Sequence, residues 1–191
     1  MNRRRWNRLW LRLAREEAGF NLVELLTAMG ILAIVMSSLT VVLVSATKAD
    51  IRMNQSFQAQ TQARVALDRF RREGHAACRA EPAGPATSIT LTFVTLGTCP
   101  ASGGRQVSWC TIANGTSRYG LFRATGATCD ATGLKLADYL THSSAFNYQT
   151  TIFRRPKIAI NLPVNPYPLS GRGTYTLDGD VVLRNASRAT S

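Results

Sequence analysis

Residues 25–47 contain no Asp, Glu, Lys or Arg, and a single acid, Glu24, stands at the mouth of that run. As a helix, residues 25–46 would extend about 33 Å at 1.5 Å per residue, enough to cross the hydrocarbon layer of a membrane. A cleaved secretory signal has a shorter apolar core, about 7–15 residues, closed by a small-residue cut site. This run is longer and has no such site before Lys48. An uncleaved anchor accounts for length and orientation, but it leaves Glu24 unexplained. An acid inside a bilayer costs roughly 2.5–3.5 kcal/mol on insertion scales and tends to be kept for a partner.

The first 19 residues hold Arg3, Arg4, Arg5, Arg8, Arg12 and Arg15 against Glu16 and Glu17. Arginines ahead of an apolar segment hold that end in the cytoplasm, so the sequence predicts one pass through the cytoplasmic membrane with everything after Lys48 exported. The formal net charge is +12 over 191 residues, and the leader supplies +4 of it, leaving +8. Four regions follow: a basic leader (1–19), a membrane helix (20–47), an amphipathic helix (48–80) and a β-rich head (81–191).

The string Gly19-Phe20-Asn21-Leu22-Val23-Glu24-Leu25 resembles the cleavage and methylation motif of type IV prepilins, usually Gly-Phe-Thr-Leu-Ile-Glu-Leu. The resemblance implies cutting after Gly19 by prepilin peptidase, N-methylation of Phe20, and an assembly role for Glu24, the acid five residues into the mature subunit. It also implies a pilin-like α+β fold, sister pilin or pseudopilin subunits and an inner-membrane assembly platform as partners, and an extracytoplasmic filament as destination. Asn21 replaces the commoner Thr, the leader is longer than that of typical major pilins, and no proline breaks the helix near Val41. The longer leader and the missing proline argue against a major pilin and for a minor subunit. Glu24 would then meet the amine of Phe20 on a neighbouring subunit, a pairing that offsets the cost of burying the acid only in the right axial register.

Residues 49–80 contain no proline, and Met53, Phe57, Ala63, Leu67, Phe70 and Ala77 fall near helical spacing. This predicts a helix continuing from the membrane segment and half-covered by a sheet. The Glu81-Pro82-Ala83-Gly84-Pro85 string ends it. Beyond, the period becomes two: Ile89, Leu91 and Phe93 alternate with Thr90 and Thr92, and residues 107–112 and 119–123 flank Asn114-Gly115, a hairpin signal. Residues 133–140 read as a short helical turn. Residues 145–153, 157–162 and 175–183 read as strands, the last bent at Asp178-Gly179-Asp180. One long helix followed by antiparallel strands gives an α+β domain with the helix across the sheet. Trp109, the Leu121-Phe122-Arg123 strand and the Phe146-Asn147-Tyr148 strand resemble the head of J-type minor pseudopilins, which implies a place in a filament-tip complex.

Cys78, Cys99, Cys110 and Cys129 all follow the apolar run and lack zinc-ligand spacing. An even number on the exported side favours two disulfides over buried thiols. Three connectivities are open. Pairing Cys78 with Cys99 and Cys110 with Cys129 closes two loops of about 20 residues, each worth roughly 3 kcal/mol in the chain-entropy model.

No catalytic motif, metal set or cofactor fingerprint is present: there is no H-E-x-x-H, G-x-S-x-G, P-loop or G-x-G-x-x-G unit. A Cys110–His142 nucleophile pair and a calcium site at Asp178 and Asp180 are both weaker readings than a disulfide and a turn. The basic residues Arg118, Arg123, Arg154, Arg155 and Lys157 supply an alternative to a purely structural subunit: a filament-tip module that captures DNA or a surface ligand.

Overall fold

The computed structural model describes residues 21–101, 103–151, 154–170 and 173–186. Two compact units divide the chain, residues 1–51 and 52–191. A long helix, α1, runs Leu22–Ala76. Its start is closed by Asn21, whose carbonyl accepts from the amides of Glu24 and Leu25 at 2.7 and 3.2 Å.

In the first unit the large apolar side chains from Leu22 to Val44 are exposed. The scattered hydroxyls among them do not compromise an apolar surface. Thr27, Ser37, Ser38, Thr40, Ser45 and Thr47 each donate to a carbonyl three or four residues back, at 2.8–3.0 Å. Such back-bonding satisfies a hydroxyl without water, as a lipid environment demands. This helix is long and apolar enough to cross a membrane.

In the second unit the later part of α1 packs on an antiparallel curled sheet. The strands are β1 (Ala77–Glu81), β2 (Gly84–Ala86), β3 (Ser88–Phe93), β4 (Gln106–Ala113), β5 (Tyr119–Thr125), β6 (Leu134–Leu140), β7 (Phe146–Thr151), β8 (Arg154–Val164) and β9 (Tyr175–Val182). Their order is β1-β3-β4-β5-β6-β8-β7-β2, with β9 on the other side of β8. Every pairing is antiparallel, and register shifts interrupt β1–β3, β5–β6 and β7–β8. Such irregularities bend strands and increase local twist.

The helix buries Ala59, Ala63, Ala66, Leu67, Phe70 and Gly74. Alanines on this face let the helix axis approach the sheet, and Phe70 fills the space beneath. Its ring meets Trp109 edge-on at 5.3 Å and Phe146 at 5.5 Å, both within the favoured range for aromatic pairs. The core continues through Ile89, Leu91, Leu121, Ile158, Ile160 and Leu162.

Three expectations are corrected. The helix stops at Ala76 rather than residue 80, because Ala77, Cys78 and Ala80 are buried against β3 while Arg79 and Glu81 point out. Asn185 Nδ2 donates to the Ala76 carbonyl at 2.9 Å and caps that end. Met53 and Phe57 are not core but 75% and 68% exposed, and Ala59 and Ala66 take their place. In the segment expected as a helical turn, residues 134–140 are strand β6: Leu134, Leu136, Ala137 and Leu140 fit either period, and pairing with β5 decides the outcome. β9 runs as one strand through Asp178-Gly179-Asp180, its register with β8 unshifted from Val182 to Tyr175.

Gly74 marks the tightest approach of helix to sheet. A Cβ there would lie 2.6 Å from Cγ1 of Val181, a buried and rotationally stiff side chain. Alanine gains about 1 kcal/mol of helix propensity, but overpacking a filled core costs about 1–3 kcal/mol. Gly74→Ala is therefore expected to lower the urea midpoint, and adding Val181→Ala to restore part of it; a midpoint raised by Gly74→Ala alone contradicts this packing.

Candidate functional site

Of the sequence-predicted site residues, Gly19 and Phe20 lie outside the described residues. Glu24 sits in the first turn of α1 and is exposed. The helix N-terminus favours a negative charge there. No cation lies within ion-pair distance of Glu24 among the described residues, and Lys48 is 24 positions along the helix, about 36 Å at 1.5 Å per residue. Leu22, Val23, Leu25 and Leu26 surround it, all exposed. Chemically this is an acid on an apolar rod with no counter-charge among the described residues.

Both disulfides form with the short-loop pairing. Cys78 joins Cys99 and Cys110 joins Cys129, with Cα separations of 5.9 and 6.0 Å. The first ties β1 to the β3–β4 connection, the second ties β4 to the β5–β6 connection. Cys110 is consequently no free nucleophile, and His142 stands exposed on a loop. Asp178 and Asp180 lie on β9; Asp180 Oδ2 accepts from Lys157 Nζ at 2.9 Å, and no metal-holding cluster occurs among the described residues.

The basic residues of the head are mostly engaged within the chain. Arg123 Nε donates to both carboxylate oxygens of Glu73, at 2.8 and 3.1 Å, and Arg69 approaches the same acid at 3.5 Å. Arg71 reaches Asp68 at 3.4 Å, while Arg72 and Arg155 are exposed. Arg118 lies over the Tyr139 ring, its guanidinium carbon 4.3 Å from the centroid. The Arg154 side chain lies outside the described residues.

Glu73 is a residue that the spacing of apolar side chains did not single out. Besides Arg123 it accepts the indole N–H of Trp109 at 2.9 Å. Trp109 is fully buried, and Glu73 and Arg123 keep only 17% and 14% of their side chains exposed. One helix acid therefore satisfies a buried donor and a nearly buried cation on adjacent strands β4 and β5. The only sequence signal was the placement of an acid three residues after a core Phe on the helix.

Asp138 is a second node. Burial alone would raise its pKa, but bonds from Lys135 Nζ (2.9 Å), the Tyr139 amide (2.9 Å) and Asn114 Nδ2 (3.3 Å) outweigh burial and hold its carboxyl below the ordinary range. It thereby clamps the β4–β5 connection to β6. That connection is five residues, 114–118, not a two-residue Asn-Gly turn: Asn114 N donates to Arg118 O at 2.8 Å, and Gly115 and Ser117 both take positive φ.

Comparison with family models, curated proteins and solved structures finds nothing that matches this chain.

Two outcomes are expected. Glu73→Ala strands Arg123 and the Trp109 N–H, and breaking such a pair costs about 3 kcal/mol. Glu73→Met combined with Arg123→Met should recover most of that in denaturant titrations followed by near-ultraviolet circular dichroism; equal stability of wild type and Glu73→Ala would show that the node contributes nothing. Because Asp138 has a lowered folded-state pKa, its contribution is present above the unfolded value and is lost as pH falls through the folded one. Asp138→Asn should accordingly flatten the stability profile below about pH 4, and a profile unchanged by the substitution speaks against the clamp.

Proposed function

We propose that this chain is a minor pilin or pseudopilin, a structural subunit that is trimmed after Gly19 by prepilin peptidase and joins or primes a type IV pilus-like filament. The observation that carries the reading is Glu24: an acid in the first turn of a helix whose neighbours are exposed apolar side chains, with no described cation in reach. A membrane anchor has no use for it, whereas a bundle of such helices does. There each acid meets the ammonium at Phe20 of another subunit, and wrong registers are penalised by several kcal/mol for an unpaired charge.

Three further features support the reading. The exposed apolar side chains up to Val44 suit storage in a bilayer before assembly and helix–helix packing afterwards. The two disulfides suit a head on the oxidising side of the membrane. The helix-on-antiparallel-sheet layout agrees with the pilin-like class that the prepilin motif implies.

N-terminal mass analysis after co-expression with prepilin peptidase is the direct test. The expected product begins at Phe20 with one added methyl group, and Glu24→Gln is processed normally but recovered in filament fractions at least about tenfold less, the equivalent of 1.4 kcal/mol. An intact leader in peptidase-containing cells, or undiminished incorporation of Glu24→Gln, overturns the proposal.

A further inference from the structure

The head contains a cleft that the assembly reading does not use. One wall is the β4–β5 connection, with Asn114, Gly115 and Thr116; the other is the segment Pro166-Tyr167-Pro168-Leu169 that follows β8; Arg118 lines it between them. Its volume is about 540 Å³, within the roughly 300–1,000 Å³ of small-ligand sites.

The walls are held before any ligand arrives. Asn165 Oδ1 accepts the Tyr167 amide at 2.8 Å, and both the amide and hydroxyl of Ser170 return to the Tyr167 carbonyl at 3.0 and 2.7 Å. The Tyr167 hydroxyl bonds to the side chain of Gln55 on α1. Opposite, Asp138 grips Asn114. Preformed walls lower the ordering cost of binding.

Arg118 sets the chemistry. It is half-buried, its guanidinium is stacked on Tyr139, and one nitrogen makes a long 3.5 Å contact to the Pro166 carbonyl. It has no carboxylate partner among the described residues: the nearby acid of this hairpin, Asp138, is already bonded to Lys135, Asn114 and the Tyr139 amide. A guanidinium offers five donors in a planar fork that matches a carboxylate. On one side of it the wall is proline, tyrosine and leucine, with Leu169 83% exposed at the rim; on the other it is Asn114, Gly115 and Thr116.

We infer that this cleft binds an apolar carboxylate, with the acid on Arg118 and the apolar body laid along the wall of Pro166, Pro168 and Leu169. Two sources share that chemistry: the C-terminus of a peptide ending in an aliphatic residue, and a free short-chain fatty acid. The inference is independent of whether the chain enters filaments.

The test uses the full chain in lipid nanodiscs, titrated by calorimetry with three probes: a pentapeptide ending in leucine with a free carboxylate, its C-terminally amidated twin, and hexanoate. The free-acid peptide is expected to saturate, with the amide weaker by about tenfold or more, since a charge-assisted bond is at stake. Hexanoate matching the peptide assigns the free acid as ligand; hexanoate failing where the peptide binds assigns the chain terminus. Arg118→Gln should erase the difference between acid and amide. Leu169→Asp, at an exposed position that the fold does not need, should repel the anion and weaken binding about tenfold. Equal binding of acid and amide, no saturation by either carboxylate at millimolar concentration, or an unchanged affinity in Leu169→Asp overturns the assignment.

Discussion

Trp109 receives both of the helix contacts on which the head is built. Phe70 and Glu73, three positions apart and so on one helical face, reach it together: the phenyl ring against the indole edge-on, the carboxylate on the indole N–H. The aromatic contact is tolerant of rotation, whereas the hydrogen bond is not. With Arg123 of the next strand on the same carboxylate, the helix is fixed in both translation and rotation over β4 and β5. A purely apolar seat of alanines would have left the helix free to slide by a turn, because Ala59, Ala63 and Ala66 present similar surfaces. The polar node supplies the discrimination that small side chains lack.

From that seat the rest of the sheet follows. β4 pairs with β3 and β5 over five and seven residues without a register shift. Each disulfide has a foot on or beside this centre: Cys110 lies within β4, and Cys78 lies on β1 directly after the helix end. The Cys110 bridge therefore closes its loop back onto a strand that carries the node, and the Cys78 bridge ties the edge strand after the helix to the connection that leads into β4. β8 then serves as a second spine, taking β9 on one side and β7 on the other. Gly74 lets β9 draw close to the helix at Val181.

Much of this architecture was legible, and the failures share a cause. The charge-free run, the acid at its mouth, the helix-to-strand change of period, the β4–β5 hairpin and the short-loop disulfides follow from local properties, and local properties are what sequence displays. The misreadings lie where a tertiary partner chooses between two locally acceptable states. Residues 134–140 place apolar side chains at both three-to-four and two-residue spacing, and only β5 selects the strand. Ala77 and Cys78 would extend a helix as readily as begin a strand, until β3 and Cys99 claim them. Met53 and Phe57 carry the right chemistry for a core but fall outside the seated face. The Arg118 cleft joins segments about 50 residues apart, so no window of sequence contained it.

The distribution of acids gives Glu24 its distinct status. The chain carries only 11 acids against 23 Lys and Arg, so a carboxylate is scarce and a cation is not. In the head Asp68, Glu73, Glu81, Asp138 and Asp180 each have a basic partner in the same chain. Asp50, Asp130 and Asp178 have none of these pairings, but Asp130 accepts from the Thr132 amide and hydroxyl, and all three are exposed in polar stretches where water is an adequate counterpart. Glu24 combines a charge unmatched among the described residues with the exposed apolar neighbours Leu22, Val23, Leu25 and Leu26. In the proposed assembly, trimming would create one ammonium per subunit beside one such acid, so acids and amines match in number however many subunits join. A surface cation from the leader could not serve: it would be removed with residues 1–19. The counter-charge would thus appear only when the leader is cut, which makes processing itself the step that licenses burial of the acid, and keeps the unprocessed chain from packing its helix prematurely.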